Sequence, residues 1–381
     1  MRDLVGTMAK ILYLIDSLSN GGAERQLSLL LKYLPPAWET RVVSLRGGPY
    51  YQVLLEQKTS VTAYRRRSRF DLIPVLQLYS EILRYKPDII HSWGGLSSAL
   101  VAPICKVLNI YLIDGSIRIA RAPARHYWRR RVTFSLSDYI VSNSYAGLSA
   151  FGVSTEKSGV VYNAIDPGRL ELLKQKSNIQ KGILTVIMTG RISPFKDFPL
   201  FFEAARCLSA KEPGCWKFVA VGAGEEKDRK SFMKLAEDLV ASRVVDLPQA
   251  GLEVLPYLRE ANVGVLLSAA SFKEGISNSI MEYMACGLPV ICSDSGGNRE
   301  IVIDGETGFV IPSENVDSLI DKLLFLKNHP DISHIMGKAG NERVISLCSI
   351  DRMISEYEAI YTRLLGKSHR RVQKEYTEQK V

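Results

Sequence analysis

The 381-residue sequence lacks the features of a membrane-spanning, secreted or zinc-binding protein. Its longest apolar candidate, residues 96–105, ends at Lys106 and falls short of the roughly 18 apolar residues that a spanning helix needs. The amino terminus has no apolar core followed by a small-residue cleavage site, which argues against a secretory signal. The six cysteines form no Cys-x-x-Cys pair and do not group with the five histidines at zinc-site spacing. We therefore expect reduced, mostly buried thiols in a cytoplasmic protein.

The sequence also lacks the complete motifs of two other protein classes. Gly222 and Gly224 follow a predicted strand, but Lys227 occupies the third glycine position of the dinucleotide-binding fingerprint. An NAD-dependent oxidoreductase is therefore a minor hypothesis. No zinc-finger, cold-shock or RNA-recognition motif accompanies the arginines, so nucleic acid is not expected as a partner.

Hydrophobic strands alternate with helices along the chain. Strands are predicted at 9–16, 41–45, 89–92, 111–113, 139–142 and 160–162 and, after a polar stretch at 168–181, at 184–189, 217–221, 263–267 and 289–294. Such alternation is typical of a parallel sheet covered by helices on both faces. The restart of the pattern predicts two such domains with a boundary near Ala164, and the amphipathic segment 350–365 predicts a last helix.

The most informative segment runs from Glu274 to Glu282. Glu274 lies in a Gly/Ser/Asn-rich loop after a predicted strand, and Glu282 lies on a helix that Ser277 or Asn278 can cap. The amides at such a helix start bind anions, and open α/β sheets bind ligands in loops at the carboxyl ends of their strands. Two glutamates at this spacing are more often solvated on a surface helix. Their place between two buried strands instead favours a ligand with a diphosphate flanked by sugar hydroxyls.

At this segment the sequence resembles retaining glycosyltransferases with two facing Rossmann-like domains, and among these it is most similar to glycosyltransferase family 4. The resemblance is dense over residues 264–312. Its motifs there are the Glu274–Glu282 segment, Met284–Ile291, Gly296-Gly297, Glu300 and Asp304–Val310. Two outlying segments are also similar to family motifs, namely Gly190–Asp197 to the donor-phosphate motif and Gly21–Glu24 to the amino-terminal glycine loop.

The resemblance implies the GT-B fold, an α/β architecture of two facing Rossmann-like domains with a carboxyl-terminal helix that crosses back to the first. Residues 1–164 would form the acceptor domain and residues 165–349 the nucleotide-sugar donor domain. The crossover helix would span 350–365, and the charged tail 366–381 would be disordered.

The resemblance also implies roles for the residues that match its motifs. The catalytic set is Arg191, Lys196 and Glu274, of which the two cations would stabilise the departing diphosphate and Glu274 would contact the hydroxyls of the transferred sugar. Glu282 would accept from the nucleotide ribose. The full donor-binding set is Gly21, Gly22, Gly222, Gly275, Ile276, Ser277, Asn278, Ser279 and Glu282. The chain has no Asp-x-Asp triplet, so neither a metal nor a cofactor is expected.

The expected acceptor-side residues are His91, Trp93 and Arg118. The family often has His-x-His where this chain has His91-Ser92-Trp93, so Trp93 departs from the pattern and would offer an aromatic platform for a sugar ring. A lone histidine at a strand end is more often structural. Arg118 follows another strand facing the same cleft and would meet an anionic acceptor. Asn163 and Asp166 resemble the linker motif of the family and are interpreted as structural.

Positive charge is concentrated in the first half of the chain. The formal net charge is +9, and residues 1–165 carry 21 Lys/Arg against 11 Asp/Glu, whereas the remainder carries 28 against 29. The excess arginines form two clusters, Arg65–Arg67 with Arg69, and Arg118, Arg121, Arg125 and Arg129–Arg131. The clusters either form a solvated surface or attract anionic lipid or an anionic acceptor.

The sequence therefore favours a retaining, metal-independent glycosyltransferase. Its partners would be a nucleotide-sugar donor and a glycan or lipid-linked acceptor in cell-surface polysaccharide or glycolipid biosynthesis. It would lie in the cytoplasm or peripherally on the inner face of the cell membrane. Two alternatives stay open: a nucleotide-sugar epimerase of the same fold, which needs carboxylates and histidines in the cleft, and a non-catalytic basic binding protein.

Overall fold

The computed structural model describes residues 8–65, 71, 73–121, 127–174, 182–222, 224, 226–248 and 254–378. Within these residues the chain forms two parallel β-sheets, each covered by helices. The two parallel-sheet domains predicted from the strand–helix alternation, which the resemblance implies to be Rossmann-like, are thereby confirmed.

The first half contains a seven-stranded sheet. Its elements are β1 (Ala9–Ile15), α1 (Gly22–Tyr33), β2 (Trp38–Ser44), α2 (Tyr50–Glu56), β3 (Val61–Ala63), α3 (Ile73–Tyr85), β4 (Ile89–Ser92), α4 (Gly95–Leu108), β5 (Tyr111–Ile117), α5 (Tyr127–Leu136), β6 (Tyr139–Ser142), α6 (Tyr145–Phe151) and β7 (Ser158–Val160). The strand order is β3-β2-β1-β4-β5-β6-β7.

The second half contains a six-stranded sheet. Its elements are α7 (Pro167–Lys174), β8 (Leu184–Thr189), α8 (Phe198–Lys211), β9 (Trp216–Val221), α9 (Glu226–Leu235), α10 (Glu237–Ala241), β10 (Val245–Asp246), α11 (Leu255–Arg259), β11 (Val263–Leu266), α12 (Asn278–Ala285), β12 (Val290–Ser293), α13 (Asn298–Ile301), β13 (Gly308–Ile311), α14 (Val316–Asn328) and α15 (Pro330–Leu347). The strand order is β10-β9-β8-β11-β12-β13. The last element of the chain is α16 (Ile350–Glu378).

Each sheet reverses its strand order once, and each reversal opens a crevice. In the first sheet β1 pairs with β4, and in the second β8 pairs with β11. In each pair, the connections that follow the two strands run to opposite faces of the sheet. A gap therefore opens at the carboxyl edge of the sheet, where α/β proteins bind ligands. The loops after β8 and β11 contain Arg191, Lys196 and Glu274.

Helix α16 leaves the second half and completes the core of the first, as predicted. Met353, Tyr357 and Tyr361 are at most 3% exposed and pack in one cluster with Ile11 and Tyr13 of β1. The hydroxyl groups of Tyr13 and Tyr361 lie 3.0 Å apart in a hydrogen bond. The two halves are therefore joined by packed side chains as well as by the linker.

Two segments differ from their predictions. The polar stretch at 168–181 begins with helix α7, which packs against α11 and α12, although its sequence shows little amphipathic pattern. Helix α16 continues past the predicted end at residue 365 to Glu378, so the disordered tail predicted for 366–381 is helical as far as it is described. Gly366 costs about 1 kcal/mol relative to alanine, and no proline follows it to end the helix.

Candidate active site

Lys196 and Glu274 lie together at the carboxyl edge of the second sheet. The Lys196 ammonium contacts Oε1 of Glu274, and the Ser268 hydroxyl donates to the same oxygen at 2.9 Å. A backbone bridge between Lys196 and Ser268 joins the loops after β8 and β11. The Glu274 residue is only 9% exposed, so the ammonium compensates a largely buried carboxylate.

A cleft of about 760 Å³ lies between the two halves. The wall formed by the second half includes Arg191, Gly222, Asn278 and Glu282. Of these four residues, Arg191 is exposed. The opposite wall comes from the first half and includes Ser19, Asn20, Arg25 and Arg46. The cleft thus brings together several predicted donor residues, and it is large enough for a nucleotide.

Helix α12 begins at this cleft. Ser277 is its N-cap residue, as the sequence allowed, but its side chain makes no capping hydrogen bond. The amides at this end are therefore left for another acceptor. Ser279 lines the cleft and donates its hydroxyl to the Thr189 carbonyl at 2.9 Å, whereas the Ile276 side chain is buried in the core. Any contact from Ile276 to a ligand would use the backbone.

The start of α1 faces the start of α12. A Cβ atom on Gly22 would lie 3.0 Å from Nδ2 of Asn278, so the approach requires a glycine or a displaced neighbour. The side-chain oxygen Oδ1 of Asn278 accepts from Nδ2 of Asn163 at 2.9 Å and from Nε2 of Gln26 at 3.2 Å. Asn163 is therefore a tie between the linker and α12, in agreement with its structural interpretation. Two helix starts, each with a positive dipole end, meet at the cleft.

Glu282 is paired with two arginines that the sequence did not indicate. Its Oε1 atom accepts from Arg25 Nη2 at 2.6 Å and from Arg169 Nε at 2.8 Å. The two partners lie 257 and 113 positions away in the sequence, so no local pattern could have found them. The Glu282 residue is 5% exposed, and the paired arginines compensate its buried charge.

His91 and Trp93 are buried and do not lie at the cleft surface, so the acceptor-side role expected for them stays a prediction. His91 is fully buried, and its Nδ1 lies 2.9 Å from the Tyr361 hydroxyl. Burial and, secondarily, the nearby Arg118 charge hold the pKa of His91 well below 6.5, so the ring is neutral. Trp93 is 3% exposed and is therefore no platform for a sugar ring. The physical reason is that Tyr357 of α16 packs beside both rings.

Arg118 is also turned toward the protein. Its guanidinium lies 4.1 Å from the centre of the Trp93 ring, and its Nε donates to the Gly115 carbonyl at 3.1 Å. Together with His91 it belongs to one packed unit beneath α16. Arg118 is partly exposed, and its expected contact with an anionic acceptor stays a prediction.

A cluster of polar side chains that the sequence did not indicate lies where β1, β4 and β5 end. The Asp16 carboxylate accepts from the Ser97 amide at 2.7 Å and the Leu96 amide at 3.2 Å, which caps α4. The Arg130 guanidinium reaches inward to the Ser116 hydroxyl. Burial raises the pKa of Asp114, which lies beside Arg130, and burial lowers the pKa of Arg130. These residues hold α4 and α5 against the sheet.

The second arginine cluster is divided by the structure. Arg130 points inward, and Arg121 donates to the Ser271 carbonyl across the boundary between the halves. Arg129 and Arg131 are exposed on α5 beside Trp128, which is 77% exposed. Arg66, Arg67, Arg69 and Arg125 lie outside the described residues.

The loop that contains Glu274 is shared by both halves. Ile119 forms an antiparallel bridge with Glu274, and the Ala120 amide donates to the Lys273 carbonyl at 3.0 Å. The Glu300 carboxylate of α13 accepts from the Tyr145 amide at 2.9 Å and the Ala146 amide at 2.8 Å at the start of α6. The position of Glu274 therefore depends on contacts with the first half.

The described residues lack two features, a membrane-spanning helix and a metal-binding cluster. No helix in the described part of the chain combines the length and the apolar character needed to span a bilayer. Over the same residues, no three His, Cys, Asp or Glu side chains group closely enough to hold a metal ion.

Two family models match the chain, one for each half. The model of glycosyl transferases group 1 matches residues 171–343, and the model of glycosyltransferase family 4 matches residues 20–169. The match to each half agrees with the division into two domains.

Similar proteins include enzymes that build bacterial glycans. An N-acetylgalactosamine-N,N'-diacetylbacillosaminyl-diphospho-undecaprenol 4-alpha-N-acetylgalactosaminyltransferase of Campylobacter jejuni is 26% identical over 83% of this chain and 89% of its own length. The lipopolysaccharide core biosynthesis glycosyltransferase LpsE of Rhizobium meliloti is 25% identical over 89% of this chain and 95% of its own. Among solved structures, Anabaena Alr3699/HepE in complex with UDP and glucose superimposes with a TM-score of 0.78 at 20% identity, covering 93% of this chain and 99% of that one.

Proposed function

Because the chain is a glycosyltransferase with the GT-B fold that resembles family 4, we propose that it moves a sugar from a nucleotide-sugar donor to a glycan or lipid-linked acceptor with retention of configuration. The observation that carries the proposal is the cleft between the two halves. Arg191 and Glu282 line this cleft together with Asn278 at the start of α12, and the Lys196–Glu274 ion pair joins the neighbouring loops after β8 and β11.

The charge distribution of the cleft suits the departure of a nucleoside diphosphate. As the bond between the anomeric carbon and the phosphate oxygen breaks, negative charge builds on the diphosphate. Arg191, Lys196 and the amides at the start of α12 stabilise that charge. The acceptor oxygen attacks the anomeric carbon from the side on which the diphosphate leaves, and its proton passes to the departing phosphate oxygen. Glu274 accepts from hydroxyls of the transferred sugar, and Glu282 accepts from those of the ribose.

Lys196 has two partners in this reaction. In the structure it contacts Glu274, and in the reaction it also approaches the diphosphate. The Glu274 carboxylate would hold the Lys196 ammonium near the anomeric carbon, where the ammonium can neutralise the diphosphate in place of a metal ion. We therefore expect sugar transfer to survive EDTA. Loss of activity that magnesium or manganese restores would show that metal independence is wrong.

We propose a lipid-linked acceptor in the biosynthesis of a surface polysaccharide or glycolipid. The C. jejuni relative is named for a diphospho-undecaprenol acceptor, and the first half of this chain has the positive charge that an anionic membrane surface attracts. Trp128, Arg129 and Arg131 are exposed on one short helix, α5. An aromatic ring flanked by cations suits the headgroup layer of a cytoplasmic membrane surface.

Vesicle sedimentation tests the membrane contact. Replacement of Trp128, Arg129 and Arg131 by serine should lower binding to anionic vesicles at least tenfold, since each cation contributes about 1 kcal/mol. Arg130 is left unchanged because it points inward. Serine at Lys230 and Lys338, two exposed cations of the second half, is the control and should change little. If the unmodified protein stays in the supernatant with anionic vesicles at low salt, a soluble acceptor is the better interpretation.

Product analysis tests the function itself. A thermal-shift series with UDP-, GDP-, ADP- and CMP-sugars identifies the donor, because a bound ligand stabilises the folded state. That donor is then incubated with undecaprenyl-diphosphate saccharides, and the anomeric configuration of the product is read by NMR. A transferred sugar in the donor configuration supports the proposal. An isomerised donor would indicate an epimerase, which the buried His91 disfavours, and an unchanged donor would indicate a binding protein.

A further inference from the structure

Arg25 joins the first half of the chain to the proposed ribose-binding carboxylate of the second. It lies in the first turn of α1, and its Nη2 is 2.6 Å from Oε1 of Glu282 on α12. Arg169 of α7 reaches the same oxygen at 2.8 Å from the linker side. The Glu282 side chain is 6% exposed, whereas that of Arg25 is 33% exposed. One carboxylate is thus held by two cations, one from each half of the chain.

The exposed part of Arg25 faces the cleft. Arg25 of the first half and Arg191 and Glu282 of the second half all line this cleft. The position of Arg25 is also constrained. The next residue on α1, Gln26, donates to Asn278 at 3.2 Å and to the Ala164 carbonyl at 2.9 Å. Arg25 therefore stays beside Glu282 as long as the start of α1 stays against the start of α12.

We propose that Arg25 is a positioning residue of the nucleotide site. It orients the Glu282 carboxylate toward the ribose hydroxyls and thereby makes nucleotide affinity depend on contact between the two halves. This inference rests on the proposed function, because it uses the ribose contact of Glu282. Arg169 alone would compensate the buried charge of Glu282, but it would leave the carboxylate without a tie to the first half. An open arrangement of the halves would then hold a nucleotide more weakly than a closed one.

Calorimetry with nucleoside diphosphates tests the inference on the full chain. UDP, GDP, ADP and CDP are titrated into the unmodified protein, and the tightest of the four is used for the variants. Arg25→Met removes the cation, and Arg25→Lys keeps a point charge without the guanidinium fork. Lys32→Met is the matched control, because Lys32 is on the same helix and pairs with Asp166 at 2.7 Å away from the cleft. Glu282→Gln and the double variant Arg25→Met/Glu282→Gln complete a double-mutant cycle.

We expect Arg25→Met to weaken nucleotide binding roughly tenfold, which is the size of one lost charge-assisted hydrogen bond. Arg25→Lys should recover part of the loss, and Lys32→Met should stay within about twofold of the unmodified protein. In the Glu282→Gln background the Arg25 change should have little further effect, since Arg25 acts through that carboxylate. A purely structural ion pair would instead lower the melting temperature and leave nucleotide affinity unchanged.

Three outcomes overturn one idea or the other. Unchanged affinity in Arg25→Met, or an equal loss in the Glu282→Gln background, contradicts the role of Arg25 and leaves the proposed function intact. Nucleotide binding that depends on Arg25 in a protein that transfers no sugar contradicts the proposed function and leaves the inference intact. If none of the four nucleotides binds the unmodified protein, both are wrong.

Discussion

The two halves of the molecule carry polar side chains at the same edge of similar sheets but expose them differently. In the second half, the loops after β8 and β11 leave Arg191 exposed on the cleft and bring Lys196 and Glu274 into contact. In the first half, His91 and Trp93 at the end of β4 are covered by α16. A position at the carboxyl end of a strand is thus available for chemistry only where no later element packs over it.

Removal of the cations in the second half should have the largest effect. Arg191→Ala and Lys196→Ala should each lower kcat about 100-fold, with a smaller effect on donor KM, because both act on charge that develops in the transition state. The double variant should be less impaired than the product of the two single effects predicts, because they share one charge. Steady-state kinetics at saturating donor measures both. Full activity in either single variant would show that the exposed strand-end cations of the second half are not used in catalysis.

Replacement of Glu282 by alanine should have an intermediate effect. Nucleoside diphosphate affinity should fall about tenfold, because alanine removes the carboxylate proposed to accept from the ribose hydroxyls and leaves Arg25 and Arg169 without that partner. Calorimetry measures the loss, and a thermal melt checks that the variant is folded. Glu212→Ala is the control, because that carboxylate pairs with Lys327 away from the cleft. Equal affinity in the Glu282 variant and the control would exclude the ribose contact.

A change beneath α16 should affect stability and leave donor binding unaltered. Tyr361→Phe removes the hydroxyl that lies between His91 and Tyr13, which leaves a buried ring nitrogen without its partner. The free energy of unfolding should fall by about 1–2 kcal/mol in chemical denaturation. Tyr79→Phe, on the outer surface of α3, should change it little. A raised donor KM at unchanged stability would show that the first half, too, uses this cluster for binding.

The parts of the structure that the sequence predicts are those determined by short-range patterns. Residues 89–92 and 139–142 were predicted as strands, and both are strands with those bounds, because buried parallel strands are short apolar runs. The three-residue β3 is only partly buried and has no such run, so it was missed. Helix α7 was not predicted within the polar stretch at 168–181, because its stability comes from packing on α11 and α12.

The candidate site shows the same limit. The motifs indicated Lys196 and Glu274, and the structure brings them into contact. The pairing of Glu282 with Arg25 spans 257 positions, and the burial of His91 depends on Tyr361, which lies 270 positions later. Neither relation leaves a local signal, because both arise only when distant elements pack. The roles assigned from the motifs remain predictions for the experiments above.

Helix α16 also has a consequence for how the chain is made. The core of the first half includes Met353, Tyr357 and Tyr361, so residues 8–164 emerge from the ribosome without some of the side chains that complete their interior. At roughly 5–20 residues per second, the next 190 or so residues take on the order of ten to forty seconds to synthesise. The second half, whose core lies within residues 165–348, is complete before the first. The second half can therefore complete its core before the first half, although the first half is synthesised earlier. A chain that stops before residue 350 lacks α16, and its amino-terminal half is then a target for chaperones and proteases.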